Sequence, residues 1–163
     1  MADFVDHPEC QALSDAIAPL AAGIKDVPPY WIETPDGTLV TNSGSEWCGD
    51  CAYYLMRHHR RKDRKRAEDY YLGGGSRTEE EHLCYCAGCG KHLQVTLLKY
   101  GRISELEHWR EYGFGARPDE DAYALVALLD ACVVVTEEDD WQAIEAAEIG
   151  RRFATMNSIE VAA

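Results

Sequence analysis

Apolar residues recur at spacings of three and four between residues 8 and 24, and this period predicts an amphipathic helix. Pro8 suits the first turn of that helix, whereas Pro19 lacks the N–H of an interior turn and is expected to interrupt it. A proline-rich linker follows the helix. Asp36-Gly37 then separates two short apolar runs, which predicts a small hairpin.

The central part of the chain predicts a second helix that begins at Cys51 and runs to about residue 69. Its middle, residues 57–66, has no apolar side chain, so that part cannot pack into a core. Three further elements follow: a glycine-rich loop at 73–75, an apolar strand at 93–101, and a helix at 104–112 whose capping box is Ser104 and Glu107.

Two more helices are predicted towards the C-terminus, over about 119–132 and 137–154. The first follows a proline and carries acids in its first turn, where the helix dipole favours them. Residues 133–135 fit a short strand. In the last helix, Trp141 and Ile144 are expected to begin the buried apolar side. Together these patterns predict an α+β fold that is mostly helical.

The length and composition are those of an ordinary globular protein, with 163 residues, of which 46% are apolar and 28% charged. We predict a single domain over 1–163, with a cysteine-bearing module at about 45–101 and a helical remainder at 1–25 and 103–156. No run of about 18 apolar residues is present, so no membrane span is expected. The N-terminal stretch lacks the basic and apolar regions of a signal peptide, which predicts a cytoplasmic protein.

A cytoplasmic location predicts that the seven cysteines are metal ligands or free thiols, because disulfides are rare in cytosolic proteins. Cys48 and Cys51 lie in WCGDC, which differs by one residue from the WCGPC active site of thioredoxins. A thioredoxin fold also needs a buried strand before this motif and a proline that faces the dithiol from later in the chain. The stretch before the motif is polar, and no proline lies between Pro35 and Pro118. A thiol–disulfide oxidoreductase at the first two cysteines is therefore only an alternative.

A second pair, Cys86 and Cys89, makes a metal site the first hypothesis. Each pair has two intervening residues, so its sulfurs can bind one ion from a tight turn, and Gly90 allows the positive φ that such a turn needs. Four thiolates are ligands that tetrahedral Zn²⁺ prefers. The predicted ligands of a structural zinc are Cys48, Cys51, Cys86 and Cys89. We expect them in a treble-clef or zinc-ribbon-like arrangement.

Other ligands and another metal centre stay open. Cys84 could replace Cys86, His82 or His92 could substitute for a cysteine, and an iron–sulfur cluster could use the same four thiolates. Four protein ligands close the site, which favours a structural role over hydrolysis. No serine nucleophile elbow, P-loop or dinucleotide motif is present, so we predict no enzymatic activity.

The net charge of −13 conceals a strong segregation of charge along the chain. Residues 57–66 carry about +6, and the rest of the chain carries about −19. The basic segment predicts phosphate contacts from one helix, which makes a nucleic-acid-binding zinc protein the first alternative function. Its candidate residues are Arg57, Arg60, Arg61, Lys62, Arg64, Lys65 and Arg66.

Residues 118–150 have the opposite composition, with ten acidic residues and no Lys or Arg. An acidic field of this kind favours a basic protein partner. The candidate partner-binding residues lie at the start of the last helix and are Glu137, Glu138, Asp139 and Asp140.

The stretch after Gly73 contains a glycine-rich loop, then C-x-x-C-G-x-x-L from Cys86 to Leu93, then a short strand that ends at Gly101. In these features it resembles small uncharacterised zinc-knuckle proteins of bacteriophages and mobile elements. An upstream cysteine pair also fits this resemblance, and Cys48 and Cys51 supply it. The resemblance covers residues 48–112. It implies a phage-type accessory protein that acts on a host macromolecule.

We therefore predict a non-catalytic, zinc-stabilised interaction protein, an inhibitor or adaptor of phage type that binds a host protein. Nucleic-acid binding through the basic helix 57–66 is the first alternative, and thiol–disulfide exchange is the second. The sequence indicates no particular oligomeric state.

Overall fold

The computed structural model describes residues 3–21, 27–33, 46–62, 71–75 and 78–162, with the backbone alone described at 33, 58–62, 71–73 and 78. The helices in these residues are α1 (Pro8–Ile17), α2 (Gly49–Lys62), α3 (Lys99–Tyr112), α4 (Pro118–Ala131) and α5 (Asp140–Met156), and 3₁₀ turns lie at Ala18–Ala21 and Glu137–Asp139. The strands are β1 (Phe4–Asp6), β2 (Tyr30–Glu33), β3 (Tyr71–Gly74), β4 (Thr78–Glu80), β5 (Cys84–Tyr85), β6 (His92–Leu93), β7 (Val95–Leu97) and β8 (Val134–Thr136). This mixed, mostly helical composition confirms the predicted fold class, and the treble-clef arrangement stays a prediction.

The strands of the described chain form two-stranded ribbons. β1 pairs antiparallel with β8, with Val5 opposite Val135. β2 pairs antiparallel with β3, β5 pairs antiparallel with β6, and β4 lies beside β7. None of the described helices is long and apolar enough to cross a membrane.

Contacts within the chain divide it into two compact units. The helical unit comprises Met1–Lys25, Glu79–Leu83 and Thr96–Ala163, and the cysteine unit comprises Asp26–Thr78 and Cys84–Val95. The assignment of one domain over 1–163, with a module at 45–101, stays a prediction.

The core of the helical unit lies between α1, α4 and α5. Cys10, Leu13 and Ile17 are fully buried on α1, as their spacing of three and four predicted. α1 ends at Ile17 and continues as a 3₁₀ turn through Pro19, which confirms the expected interruption. The largest fully buried apolar side chains of the other two helices are Leu125, Leu128, Leu129 and Phe153.

The third helix begins earlier than its capping box indicated. Because α3 begins at Lys99, Ser104 lies inside the helix and the strand predicted over 93–101 ends too late. Ion pairs hold the first turn instead, since both Lys99 and Arg102 lie against the carboxylate of Asp139. Contacts with a residue so distant in sequence override the local capping signal.

The glycine-rich loop expected at 73–75 is partly a strand. Gly73 and Gly74 belong to β3 and pair with β2. Gly74 has a φ of 87°, and a Cβ at this position would lie 2.5 Å from the carbonyl oxygen of Pro29. Glycine is therefore required for the close approach of the two strands.

Two predicted features fall at the limits of the described residues. α2 begins at Gly49, two residues before the predicted start at Cys51, and is described as far as Lys62. Its predicted continuation to residue 69 and the hairpin at Asp36-Gly37 lie outside the described residues. Both stay predictions.

The apolar side predicted for the last helix is wrong at its start, although Ile149 and Phe153 further along are buried. Trp141 and Ile144 are 46% and 57% exposed on α5. The buried side consists mostly of small residues, which let helices approach closely. Its members are Gln142, Ala143, Ala146, Ala147, Ile149, Gly150, Phe153 and Ala154. The two large apolar residues therefore lie at the surface.

A buried polar cluster around Asp139 joins α3 to the start of α5. The Asp139 carboxylate accepts a hydrogen bond from Thr136 Oγ1 at 2.7 Å and lies 3.0 Å from Lys99 Nζ. Arg102 lies 3.9 Å from the same carboxylate and donates from Nε to Gln142 Oε1 at 2.8 Å. The hydrogen bond from Thr136, together with the two cations, outweighs burial and holds the pKa of Asp139 below its usual range.

Asp139→Asn is expected to reduce the free energy of unfolding by about 1–3 kcal/mol at neutral pH, because it removes a charged acceptor from two cations. The folded pKa of Asp139 lies below its unfolded value. Its stabilisation is therefore present above about pH 4 and decreases as the pH falls through the folded pKa. Urea unfolding at several pH values measures both effects.

Glu138→Gln is the matched control for that substitution. Glu138 is exposed next to Asp139, so its substitution should change the free energy of unfolding by less than about 0.5 kcal/mol. Equal effects of the two substitutions would contradict the role assigned to Asp139.

Candidate metal centre

Two segments of the cysteine unit each present a pair of cysteines. Cys48 precedes α2, and Cys51 lies in its first turn. Cys86 and Cys89 lie in the turn between β5 and β6. The four sulfurs all lie within 4.8 Å of one another. The structure therefore brings together the four predicted ligands as a group that could hold a metal ion, here called the four-cysteine cluster.

The start of α2 shapes the first pair. The N–H of Ala52 donates to the carbonyl of Cys48 at 2.9 Å, which closes a helical turn. The backbone N–H of Cys51 donates a hydrogen bond to the Cys48 sulfur. Helical backbone therefore spaces the two sulfurs and directs a donor at one of them.

A tight turn closed by Gly90 shapes the second pair. The N–H of Gly90 donates to the carbonyl of Cys86 at 2.9 Å, and the φ of Gly90 is 74°. The positive φ expected from the sequence is therefore confirmed. The N–H of Gly88 donates to the Cys86 sulfur at 3.4 Å, so this turn also directs a backbone donor at a ligand atom.

Backbone hydrogen bonds and apolar packing hold the two pairs together. The N–H of Ala87 donates to the carbonyl of Glu46 at 2.9 Å, which ties the second turn to the residues just before the first pair. Trp47 and Tyr30 exchange two backbone hydrogen bonds of 2.8 and 2.9 Å. Leu93 is fully buried in the same apolar cluster as two of the cysteines. The sulfurs are thus positioned by the surrounding chain.

The spacing of the sulfurs matches a shared ion. Cys48 Sγ and Cys89 Sγ lie 3.8 Å apart. Zn–S bonds of about 2.3 Å in a tetrahedron separate neighbouring sulfurs by about 3.8 Å, whereas a disulfide bond measures about 2.05 Å. Thiol–disulfide exchange at Cys48 and Cys51 stays a hypothesis. The sulfurs of Cys86 and Cys89 also lie within 4.8 Å of Cys51 Sγ, so Cys48 is not its only sulfur neighbour.

The four thiols differ in their tendency to ionise. Burial opposes ionisation of Cys86, but hydrogen bonds from backbone N–H groups outweigh it and lower the pKa to about 6. Burial raises the pKa of Cys48, and burial with hydrogen bonding among the thiols raises the pKa of Cys51. Four crowded thiolates repel one another, and a divalent cation removes that repulsion. The electrostatics of the cluster therefore favour a bound cation.

The alternative ligands lie outside the four-cysteine cluster. Cys84 is half-buried against it, but among the described residues its sulfur is not one of the four that lie within 4.8 Å of one another. His92 is buried, with its ring centroid 4.4 Å from that of Tyr85. His82 is exposed. The geometry therefore favours the set of four cysteines over these substitutes.

The candidate nucleic-acid-binding residues begin on α2. Arg57 is exposed, and its guanidinium lies 5.8 Å from the centre of the Tyr53 ring. Arg60, Arg61 and Lys62 continue the helix as described backbone, whereas Arg64, Lys65 and Arg66 lie outside the described residues.

Sequence reasoning missed two aromatic residues beside this basic run. Tyr53 and Tyr54 are 52% and 76% exposed on α2. The available signal was the spacing of four between Tyr53 and Arg57, which places the two side chains on one helix face.

The candidate partner-binding acids have different surroundings. Glu137 and Glu138 are exposed, as predicted. Asp140 is half-buried and lies against the imidazole of His7. Asp139 is buried in the polar cluster described above, so its assignment as a partner contact is wrong. The cations that neutralise Asp139 come from α3, which the local sequence could not indicate.

Comparison of the chain with protein-family models, with curated proteins and with solved structures gives no match. The resemblance to phage zinc-knuckle proteins therefore stays a prediction. The four-cysteine cluster and the exposed helix faces are the observations from which a function can be proposed.

Cys86→Ser is expected to remove the bound metal, whereas the Cys84→Ser protein should retain it. Of these two cysteines, Cys86 belongs to the four-cysteine cluster and Cys84 does not. Native mass spectrometry with elemental analysis measures the metal content. We expect one metal ion per wild-type chain and per Cys84→Ser chain, and close to none for Cys86→Ser. If the Cys86→Ser protein retained its metal and the Cys84→Ser protein lost it, the ligand would be Cys84 and not Cys86.

Alkylation of the thiols provides an independent measurement of the same site. Four thiols should stay protected until a chelator is added. Cys10 and Cys132 should react only after unfolding, because burial raises their pKa values to about 11 and about 12. A metal-free protein with a Cys48–Cys51 disulfide would contradict the metal assignment and favour thiol–disulfide exchange.

Proposed function

We propose that this chain is a non-catalytic, zinc-stabilised interaction protein that binds a basic partner protein, as an inhibitor or adaptor of phage type would bind a host protein. The observation that carries this proposal is the exposed face of α5, where two large apolar residues lie among unpaired acids. The four-cysteine cluster supports the structural part of the proposal, and the α5 face supports the interaction part.

Zinc is the metal proposed for the four-cysteine cluster. Four soft thiolates suit tetrahedral Zn²⁺, and the 3.8 Å between the sulfurs of Cys48 and Cys89 agrees with that geometry. Four protein ligands leave no position for water or substrate, so the ion would stabilise the fold. Elemental analysis separates zinc from an iron–sulfur cluster, which would bring iron and inorganic sulfide in its place.

The apolar part of the α5 face consists of Trp141 and Ile144. They are three positions apart in the helix, at i and i+3, and therefore lie on the same face. Each keeps about half of its surface in water, and that area would be covered by a docked partner. Tryptophan is also among the residues most enriched at the energetic centres of interfaces. The pair therefore fits the centre of a small docking surface.

The acids around this pair determine which partner it suits. Glu137 and Glu138 precede Trp141 by about one turn, and Glu148 follows Ile144 by about one turn. Within the part of the chain that the structure describes, none of these three glutamates forms an ion pair. Glu138 has Lys99 near enough to help raise the pKa of that lysine. A basic partner would supply further countercharge to these glutamates and would approach faster at low salt.

Other acids of α5 already have side-chain neighbours within the helical unit. Glu145 accepts two hydrogen bonds from Arg110, at 3.1 and 2.6 Å. Asp140 lies against the imidazole of His7. The three unpaired glutamates are therefore the acids of this face that remain available to a partner.

Selection of peptides from a random library on the zinc-loaded, full-length protein tests this proposal. The selected peptides should carry a net positive charge and an apolar anchor, and fluorescence polarisation then measures their Kd. Trp141→Ala should weaken binding by about 30-fold or more, because a buried tryptophan anchor contributes about 2 kcal/mol or more. Met156→Ala is the matched control, since Met156 is an exposed apolar residue at the end of the same helix.

Charge reversal separates the electrostatic part of this surface from the apolar part. Glu137→Lys combined with Glu138→Lys should weaken the same peptides and reduce the salt dependence of binding. Selected peptides without excess positive charge, or peptides whose Kd is unchanged by Trp141→Ala, would contradict the proposal.

A further inference from the structure

The exposed face of α2 carries two tyrosines directly before the basic run. Tyr53 and Tyr54 both expose more than half of their surface, and Arg57 is exposed one helical turn further on. The guanidinium of Arg57 lies 5.8 Å from the centre of the Tyr53 ring, within the range of a cation–π contact. Aromatic rings and a cation therefore occur together on one solvent-exposed helix.

The opposite face of α2 anchors this surface in the cysteine unit. Ala52 and Met56 are buried, and Met56 belongs to the same apolar cluster as Ile32 of β2. Cys51, in the first turn, belongs to the four-cysteine cluster. A helix held at its start and along one side presents its exposed tyrosines with little further loss of backbone entropy on binding.

Positive charge continues along the same helix. Arg60, Arg61 and Lys62 follow Arg57 within α2, and residues 57–66 carry a net charge of about +6. Acids more than a screening length away, about 8 Å at physiological salt, contribute little to the potential near these cations. An anion at this helix would meet a local excess of cations, reduced by the exposed Asp50 in the first turn, whereas the net charge of −13 describes the whole chain.

We propose that Tyr53, Tyr54 and Arg57 form a contact surface for single-stranded nucleic acid. Unpaired bases stack on the tyrosine rings, and the cations of α2 contact phosphates of the same strand. A duplex keeps its base faces stacked inside, so it can use only the charges. The inference concerns α2 alone and is independent of the partner proposed for α5.

Fluorescence anisotropy tests this surface with the metal-loaded, full-length protein. The probe is a fluorescein-labelled oligothymidine of about 16 nucleotides, at the upper end of ordinary single-strand site sizes. Binding is expected at about 50 mM salt and should weaken on the order of 50-fold at about 200 mM, as expected for about four phosphate contacts. An oligouridine of the same length identifies whether RNA or DNA binds more tightly, and either preference supports the surface.

Substitutions of the tyrosines separate stacking from charge. Tyr54→Ala should raise the Kd about tenfold, and the double substitution with Tyr53→Ala about 100-fold, while Tyr54→Trp should retain binding because the ring is kept. Tyr100→Ala is the matched control, since Tyr100 is 69% exposed on α3 and should leave the Kd unchanged. Each variant is compared at equal metal content, so that a damaged cysteine unit is not mistaken for a lost contact.

Three results would overturn the inference. The first is no binding of either oligonucleotide at about 50 mM salt. The second is equal affinity for the single strand and for a duplex of the same length. The third is a Kd that the double tyrosine substitution leaves unchanged, which would reduce the contact to charge alone. None of these results affects the peptide selection on α5, so the two proposals fail separately.

Discussion

The confinement of four sulfurs within 4.8 Å is the constraint on which the cysteine unit depends. Two segments that are far apart in the chain meet there, the start of α2 and the turn between β5 and β6. The described buried apolar side chains nearby are few, with Ile32 and Met56 in one cluster and Leu93 in the other. Small units with a limited apolar core commonly gain stability from a structural metal. A cation bound by the four sulfurs would therefore add to the apolar clusters that the described residues of this unit form.

The helical unit is stabilised by different interactions. Its core is a conventional set of buried leucines, alanines and one phenylalanine between α1, α4 and α5. A polar cluster adds specificity, because the cations of Lys99 and Arg102 have their countercharge in Asp139. This cluster holds the first turn of α3, and Arg102 donates a hydrogen bond to the buried side-chain amide of Gln142. The helical unit is thus stabilised by apolar burial and a buried polar cluster, whereas the described residues of the cysteine unit gather four sulfurs that could hold a metal ion.

Features that depend on a few neighbouring residues could be predicted from the sequence. The spacing of the cysteine pairs indicated the four-cysteine cluster, Gly90 indicated the positive φ of its turn, and Pro19 indicated the end of α1. The turn within each cysteine pair, the φ of Gly90 and the interruption at Pro19 are determined by local backbone geometry. The meeting of the two pairs is a distant contact, and it could be predicted because four thiolates are the ligands that one Zn²⁺ prefers.

Features that depend on distant contacts could not be predicted. Trp141 and Ile144 have the hydrophobicity of core residues, yet α5 buries its small residues because these let it approach the other helices closely. Asp139 has the composition of a surface acid, yet cations from α3 lie against it. In both cases the residues that determine burial lie far away in the sequence, so the local pattern does not indicate them.

The structure also changes the meaning of the charge segregation along the chain. The unpaired glutamates lie beside Trp141 in the helical unit, and the cations of α2 follow Tyr53 and Tyr54 in the cysteine unit. On each surface, the aromatic residues offer area that a ligand can cover, and the charges select the sign of that ligand. The net charge of −13 sums the acids of the α5 surface and the cations of the α2 surface, so it does not indicate the local charge of either. Because screening limits each field to about 8 Å at physiological salt, the preference of each surface depends on the charges nearest to it more than on the net charge.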